Sequence, residues 1–381
     1  MSHARKISAR FPQDLKDLGR TVASDMEGGR FSQTLKRDMR DLYDFYLDED
    51  RKRRLESMGA LRRWLTLLWY LLRSLFLKLT PVRRLLVLLS LWTFVMGDLR
   101  FTSGGVGVSV SLAPASVVIL LVVLMLELRD KLLARDELEV GRAVQLALLP
   151  KENPSIEGWE AWLYTRPAND VGGDLVDYMA LDEGTVGIVL GDVSGKGLGA
   201  ALLMAKLQST LRAIAPETPD LSRLGHRTNA ILERDGLPGR FATLVFMVLA
   251  SGEGRVRFLN AGHMPPVLVR EEGVETLPSV ALPVGAFADA AYHEQVLDLR
   301  PGDLLIAYSD GLTDARNAAG DFFSEERLNA LFPQLRGLGA EQAGRRLLLE
   351  TDRFSGEEKP FDDLSLVVLR YAGGQAPEAS A

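Results

Sequence analysis

Two apolar runs in the second half of this 381-residue chain each end in an aspartate that adjoins a glycine. Val186–Leu190 leads into Gly191 and Asp192, and Leu304–Ser309 leads into Asp310. Short apolar runs bounded by glycine are typical of buried strands. A rigid strand end fixes a carboxylate, and the glycine lets another backbone approach it. The pattern therefore predicts a folded domain in which strand ends present carboxylates.

Two further acidic motifs extend this pattern to four. Val171-Gly-Gly-Asp174 precedes Asp192, and Asp362-Asp363-Leu-Ser365 follows Asp310. The chain has no cysteine and four histidines, which excludes disulfides, thiolate zinc sites and cysteine nucleophiles. Carboxylates favour Mg²⁺ or Mn²⁺, and two such ions can activate a water and bind a phosphoryl oxygen. Taken alone, the motifs at Asp310 and at Asp362-Asp363 have a plainer interpretation as turns, and Gly191–Gly197 could be mistaken for a nucleotide loop, although it lacks the Walker spacing.

The soluble domain is predicted to cover residues 151–373 and to belong to the α+β class. Its strand-like runs come partly in succession with hairpin-type turns, which favours antiparallel sheets over a parallel βαβ arrangement. The predicted strands are Trp159–Tyr164, Thr185–Leu190, Ala242–Leu249, Val256–Asn260, Pro266–Val269, Leu304–Ser309 and Ser365–Tyr371. The predicted helices are Gly199–Ile214, Asp220–Glu233, Ser324–Phe332 and Ala340–Phe354.

The front of the chain is basic although the whole chain carries a net charge of −6. Residues 1–84 contain 19 basic and 11 acidic residues, and the basic residues stop where a long apolar region begins. This arrangement favours a membrane surface over nucleic acid as the partner. We expect residues 1–80 to form a cytoplasmic helical segment, whose Leu- and Trp-rich stretch 61–79 lies in the membrane interface.

Residues 81–127 are predicted to form a transmembrane helical hairpin. Val82–Phe101 and Val106–Leu126 supply two apolar stretches near the length needed for spanning. Basic residues flank the hairpin on both sides, so both its ends are expected in the cytoplasm. The expected location is the inner membrane, with a cytoplasmic catalytic domain. The alternative is a buried core hairpin of a soluble domain.

Residues 128–150 are predicted to continue as a linker helix that ends at Pro150. Such a helix could transmit a signal to the domain that follows. It could equally be a spacer whose apolar face packs on that domain or on its twin in a homodimer. The tail, residues 374–381, is expected to be disordered.

The ordered set of motifs resembles the bacterial PPM-type serine phosphatases of the SpoIIE/RsbU group. The resemblance spans residues 143–371 in order and spacing and leaves out residues 1–130. It is carried by Arg166–Asp177, Gly191–Ala201, Phe241–Leu244, Asn260–Pro266, Leu282–Gly285, Tyr308–Asp314 and Asp362–Ser365.

This resemblance implies an αββα sandwich with two Mn²⁺ or Mg²⁺ ions at one sheet edge. By motif, Asp192 would bridge both ions, the carbonyl of Val193 would help to hold one, and Asp174, Asp310 and Asp362 would complete the site. Asp363 is the near alternative to Asp362. Water activated between the ions would hydrolyse phosphoserine or phosphothreonine without a phosphoenzyme. The implied substrate is a small phosphoprotein that controls a sigma factor by partner switching.

Three other motif residues have two readings each. His263 could be a general acid, since histidine titrates near neutral pH, or a structural residue in a glycine-rich turn. Lys196 and Arg166 could bind the substrate phosphate or be ordinary surface cations. A catalytically inactive membrane scaffold is the alternative function, and the intact set of four aspartates counts against it. A nucleotide-cyclising enzyme is disfavoured because no nucleotide loop is present.

Overall fold

The computed structural model describes residues 58–103, 106–236, 239–279 and 281–373. The chain divides into two compact units, Met1–Lys131 and Leu132–Ala381. The second unit begins inside the stretch predicted as a linker helix. The predictions for residues 1–57 and for the tail 374–381 fall outside the described residues, and the finer division into domains stays a prediction.

The described part of the first unit, from residue 58 onward, contains helices and a β-hairpin. Its elements are α1 (Ala60–Lys78), α2 (Pro81–Met96), β1 (Asp98–Ser103), β2 (Val106–Ser111) and the start of α3 (Ala113–Leu148). The hairpin strands are antiparallel, with Asp98 opposite Ser111. Arg83 joins α2 to α3 through ion pairs with Asp130 at 2.5 Å and Glu127 at 3.1 Å. Ser90 also donates a hydrogen bond to the carbonyl of Ser116 at 3.0 Å.

The predicted boundaries of the transmembrane hairpin are wrong. Gly97, at φ 64°, ends α2, and the following stretch pairs as β1 and β2 where the turn and the second helix were expected. Val106, Val108 and Val110 alternate with small residues, a period that suits a strand.

The expected membrane-spanning helices are also not supported. Within the described ranges, no helix combines the length and the apolar composition that crossing a membrane requires. Helix α2 has 16 residues, about 24 Å at 1.5 Å per residue, against a hydrocarbon core of about 30 Å. In α3, the charged residues Glu127, Arg129 and Asp130 follow closely on the apolar stretch.

The described part of the second unit holds two five-stranded sheets and four helices beyond α3. The strands are β3 (Trp159–Arg166), β4 (Asp174–Asp182), β5 (Thr185–Val193), β6 (Ala242–Ala250), β7 (Arg255–Ala261), β8 (Val267–Val269), β9 (Val274–Thr276), β10 (Gln295–Asp298), β11 (Leu304–Tyr308) and β12 (Leu364–Tyr371). One sheet has the order β10-β7-β6-β5-β4, the other has the order β3-β12-β11-β8-β9, and neighbouring strands in both are antiparallel. The helices are α4 (Leu198–Ile214), α5 (Leu221–Asp235), α6 (Ser324–Leu331) and α7 (Ala340–Ser355), with 3₁₀ turns at Asp310–Leu312 and Phe332–Leu335.

Three apolar cores stack these elements into four layers. The middle core lies between the sheets, where Leu190 and Val245 meet Leu305 and Val367. The two outer cores bury α4 and α5 on the first sheet and α6 and α7 on the second. Strands buried on both faces explain the nearly continuous apolar runs of β6, β11 and β12. The predicted αββα sandwich is confirmed.

Strand β4 was missed by the sequence prediction, although it carries Asp174 at its first position. The buried charge of Asp177 interrupts its apolar run. Arg212 of α4 binds that carboxylate with two hydrogen bonds of 2.6 and 2.7 Å, and Gln208 adds a third at 2.8 Å. A buried charge is tolerated where it is paired and fully hydrogen-bonded, so the strand persists.

Candidate metal centre

The first sheet supplies Asp174 and Asp192 from neighbouring strands. The two residues stand directly opposite each other in the antiparallel register of β4 and β5. Opposed residues project to the same face of a sheet with their Cβ atoms close together. Asp174 is buried, Asp192 is half-buried, and Val193 ends β5. Two predicted carboxylates and the predicted carbonyl therefore lie at the same end of the β4–β5 pair.

The second sheet supplies Asp310 and Asp362 from the ends of its central strands. Asp310 begins the 3₁₀ turn that follows β11, and Asp362 lies two residues before β12. Both side chains are half-buried. Strands β11 and β12 are antiparallel neighbours, with Tyr308 opposite Leu366, so the end of one lies beside the start of the other.

The charges of the aspartates in the two pairs affect one another's pKa values. Burial raises the pKa of Asp192 to about 7, with further contributions from Asp310 and Asp362. Burial, followed by the nearby Asp362, raises the pKa of Asp310 to about 6. Asp174 is held well above its ordinary pKa, first by burial and then by Asp192. The four predicted aspartates therefore lie near enough for their charges to act on one another.

Asp363 makes different contacts from its neighbour Asp362. Its carboxylate is buried and accepts hydrogen bonds from the backbone N–H groups of Ala168, at 2.7 Å, and Gly173, at 2.6 Å. It thus ties the loop before β4 to the start of β12. These contacts favour Asp362 as the candidate ligand and assign Asp363 to positioning the loop.

Glycine is required where the two sheets meet. A Cβ on Gly311 would lie 2.0 Å from the carbonyl oxygen of Asp363, and one on Gly172 would lie 2.7 Å from the Asp363 carboxylate. Neither approach tolerates a side chain unless the backbone or the carboxylate shifts. The glycines beside the aspartates thus permit close packing of backbone around the carboxylates.

The donor set suits a hard divalent cation. Among the described residues, Asp174 Oδ2 is buried and has no hydrogen-bond partner, and buried polar atoms are normally satisfied. Carboxylates that repel one another are stabilised by a shared positive charge. Within the same residues, no three carboxylate or imidazole groups stand close enough to form a metal-binding group. The metal-binding roles of Asp174, Asp192, Val193, Asp310 and Asp362 stay predictions.

The two candidate phosphate-binding cations are both paired. Lys196 is exposed and lies 2.8 Å from the Asp362 carboxylate and 4.9 Å from the centre of the Phe361 ring. Arg166 binds both carboxylate oxygens of Asp352, at 2.8 and 3.3 Å. Lys196 therefore stands beside the candidate centre, whereas Arg166 is engaged by an acidic residue of α7.

His263 is buried, and its environment fits a structural role. Its Nδ1 lies 2.8 Å from the hydroxyl of Thr243, and its backbone N–H donates to Asn260 at 2.9 Å. Burial lowers the pKa of His263 to about 4, so the ring is neutral at pH 7. A neutral buried imidazole is poorly suited to protonate a leaving group.

One residue near the centre was missed by sequence reasoning. Gln145 near the end of α3 forms two hydrogen bonds with the backbone of Gly172. Its position among apolar helix residues carried no local signal of such a contact.

The four-layer sandwich is the fold of PP2C, or PPM, phosphatase domains in solved structures. The family model for stage II sporulation protein E, SpoIIE, matches residues 182–372. The chain belongs to the SpoIIE family. The predicted resemblance is confirmed.

Curated relatives include two named phosphoserine phosphatases. The chain is 24% identical over 241 residues to phosphoserine phosphatase RsbU of Bacillus subtilis, covering 62% of this chain and 70% of RsbU. It is 25% identical over 192 residues to phosphoserine phosphatase RsbP of the same organism, covering 48% of this chain and 47% of RsbP. Protein IcfG of Synechocystis sp. is 32% identical over 222 residues, covering 51% of this chain and 35% of IcfG. The chain thus spans half or less of the length of two of these relatives.

Solved structures show the same fold at low sequence identity. The SiaA-PP2C domain of Pseudomonas aeruginosa aligns with a TM-score of 0.56 and 17% identity, covering 64% of this chain and 98% of that domain. The PP2C phosphatase domain of SpoIIE from Bacillus subtilis, with a fragment of its regulatory domain, aligns with a TM-score of 0.50 and 20% identity. The alignment covers 57% of this chain and 64% of that chain.

Proposed function

We propose that this chain is a metal-dependent protein phosphatase that removes phosphate from serine or threonine of a regulatory protein. The observation that supports this proposal is the buried Asp174 carboxylate, which lacks a hydrogen-bond partner at Oδ2 and stands opposite Asp192 in the strand register. Membership of the SpoIIE family supports the reaction class. Nothing in this set requires a nucleophilic side chain.

Asp174, Asp192, Asp310 and Asp362, with the Val193 carbonyl, would hold two Mn²⁺ or Mg²⁺ ions. When bound, such ions lower the pKa of water and stabilise the charge of a phosphoryl group. The chain's own part is to hold the carboxylates in place. Asp192 is a candidate ligand from the first sheet, since it stands opposite Asp174 in the strand register and the charges of Asp310 and Asp362 raise its pKa. Lys196 stands beside Asp362 and is available to attract a phosphorylated segment.

The proposed substrate is a phosphorylated partner-switching protein of the kind that controls a sigma factor. Similarity to two named phosphoserine phosphatases of Bacillus subtilis supports this choice. A phosphoprotein substrate also fits the half-buried rather than enclosed position of Asp310 and Asp362. A protein-borne phosphate can approach such an open centre without entering a deep pocket.

The direct test is phosphate release by the full chain from a phosphoserine protein in the presence of Mn²⁺. We expect release that stops on addition of EDTA and resumes with excess Mn²⁺. Asp192→Asn keeps the size of the side chain and removes its charge, so it should abolish release. The matched control is Asp182→Asn at the far end of β4, which should behave like the wild type. Activity that survives EDTA would refute a metal-dependent reaction.

The alternative, an inactive scaffold with a phosphatase fold, makes the opposite prediction. Such a protein would bind its phosphorylated partner and release no phosphate with any divalent ion. The presence of all four aspartates argues against it, since a binding module gains nothing from mutually repelling carboxylates.

We also propose that the chain acts at the inner face of the cell membrane, and that two copies associate. The support is the row of exposed apolar side chains on the described N-terminal helices, among them Trp64, Trp69 and Trp92, each more than half exposed. Large exposed apolar patches mark protein or membrane contacts. Cell fractionation tests the location, and sedimentation of the purified chain tests the dimer. A monomer found only in the soluble fraction would contradict both.

A further inference from the structure

The end of α3 makes an unusual contact with the loop that carries the first candidate ligand. Gln145 is buried, and its amide Nε2 donates to the carbonyl of Gly172 at 2.8 Å. Its Oε1 accepts from the Gly172 N–H at 3.0 Å. A single side chain therefore satisfies both backbone polar groups of one residue, as a neighbouring strand would do.

The rest of the helix end is held equally closely against the same domain. Gln208 of α4 donates to the carbonyl of Leu148 at 2.7 Å and also to Asp177 of β4. At Gly141, an added Cβ would lie 3.2 Å from Leu198 and 3.9 Å from Val171. These positions recur at four- and three-residue spacing, so one face of α3 packs along the loop and α4.

The loop before Asp174 is thus hydrogen-bonded by two side chains from different parts of the domain. Asp363 binds the N–H groups of Ala168 and Gly173, and Gln145 binds the residue between them, Gly172. Asp174 follows two residues later and begins β4. Because the loop contains consecutive glycines, it has little conformational preference of its own. External hydrogen bonds must therefore hold it in place.

We propose that Gln145 is a positioning residue of the metal centre, acting through the Gly172 backbone to hold Asp174 in a geometry that binds a divalent cation. This inference rests on the proposed metal-binding role of Asp174. It makes the last turn of α3 part of the catalytic unit. Partners of metal ligands commonly change metal affinity by about 10–100-fold when they are removed.

The test uses the full chain freed of metal and titrated calorimetrically with Mn²⁺ alone. Gln145→Leu keeps the approximate volume and removes both hydrogen bonds. We expect Mn²⁺ affinity to fall by about 10–100-fold and phosphate release to recover at high Mn²⁺ concentration. Hydrogen exchange of the 168–175 backbone, measured without metal, should become faster. Recovery by added Mn²⁺ separates positioning from a general loss of folding.

The control is Gln208→Leu, which removes the hydrogen bonds to Leu148 and Asp177 and does not touch Gly172. We expect it to lower the unfolding temperature and to reduce Mn²⁺ affinity less than Gln145→Leu does. If Gln145→Leu fails to fold, Gln145→Glu retains the acceptor for the Gly172 N–H and loses the neutral amide donor. Wild-type Mn²⁺ affinity and wild-type exchange in a folded Gln145 variant would overturn the inference.

The two proposals fail in different ways. A wild-type chain that binds no Mn²⁺ overturns the proposed function, and with it this inference. A wild-type chain that binds Mn²⁺, loses it in Asp192→Asn and keeps it in Gln145→Leu overturns this inference alone.

Discussion

The two sheets of the sandwich each contribute two aspartates, but they hold them by different means. Asp174 and Asp192 face each other within a continuous ladder between β4 and β5. Asp310 and Asp362 lie just outside their strands, in a 3₁₀ turn and in the approach to β12. The first pair is therefore positioned by strand pairing, and the second by turns.

This difference shows where the candidate centre depends on added support. Strand pairing aligns Asp174 with Asp192, but the loop that leads into Asp174 and the turns that carry Asp310 and Asp362 depend on further hydrogen bonds. Asp363 supplies two of these bonds, because its carboxylate, just before β12, binds the loop that leads into β4. Ser309 supplies another by donating to the Asp363 carbonyl at 3.1 Å. We therefore expect substitutions to differ in effect according to the sheet on which they lie.

The largest effect is expected on the first sheet, from Asp192→Asn. This change removes the carboxylate that interacts with both aspartates of the second sheet. Losing several kcal/mol of charge stabilisation corresponds to a decrease in kcat of about 1000-fold or more. Steady-state phosphate release at saturating Mn²⁺ measures it. A decrease smaller than tenfold would remove Asp192 from the centre of the site.

The connection between the sheets is tested by Asp363→Ala. The change leaves the buried N–H of Gly173 and the half-buried N–H of Ala168 without their acceptor. An unsatisfied buried group costs about 1–3 kcal/mol, so the free energy of unfolding should fall by about that amount for Gly173 and by less for Ala168. Urea denaturation without added metal measures this loss. An unchanged free energy of unfolding would show that the two sheets do not depend on Asp363.

A smaller loss of activity is expected on the second sheet, from Asp362→Asn. Asp362 is half-buried and forms an ion pair with Lys196 at 2.8 Å. Its removal is therefore expected to cost less stabilisation of the bound metal than the removal of Asp192. We expect Mn²⁺ affinity to fall by about 10–100-fold, with kcat partly restored by excess Mn²⁺. A loss equal to that of Asp192→Asn would mean that the two sheets contribute alike.

The smallest effect is expected from Lys196→Met, which removes the exposed cation beside Asp362 and retains an apolar chain over Phe361. Exposed ion pairs contribute about 0–1 kcal/mol, so stability should be nearly unchanged. The Michaelis constant for the phosphoprotein should rise by about two- to fivefold, an increase that added salt reduces. A lower kcat at an unchanged Michaelis constant would instead give Lys196 a role in the chemical step.

Much of the second unit could be predicted because its local patterns agree with its packing. Strands such as β6 and β11 are almost entirely apolar, and they are buried on both faces. The four aspartates could be found because each stands beside glycine, serine or another aspartate at a strand end. Strand β4 could not, because the partner that neutralises Asp177 is Arg212, 35 positions along the chain.

Contacts between residues far apart in the sequence account for the other differences between the sequence-based predictions and the structure. The roles of Asp362 and Asp363 differ only through backbone N–H groups nearly 200 positions away. The contact between Gln145 and Gly172 is equally invisible in a local pattern. In the first unit, an apolar composition indicated spanning helices, whereas the valine alternation after Gly97 forms a β-hairpin.

In the proposed function, both sheets together form one metal-dependent centre. The number of Mn²⁺ ions bound by the full chain, determined by calorimetric titration for the wild type and for Asp192→Asn, tests this most directly. We expect about two ions per chain for the wild type, as a shared two-ion site requires, and the loss of at least one for the variant. An identical stoichiometry and affinity in both proteins would show that Asp192 and the second sheet do not share a metal site.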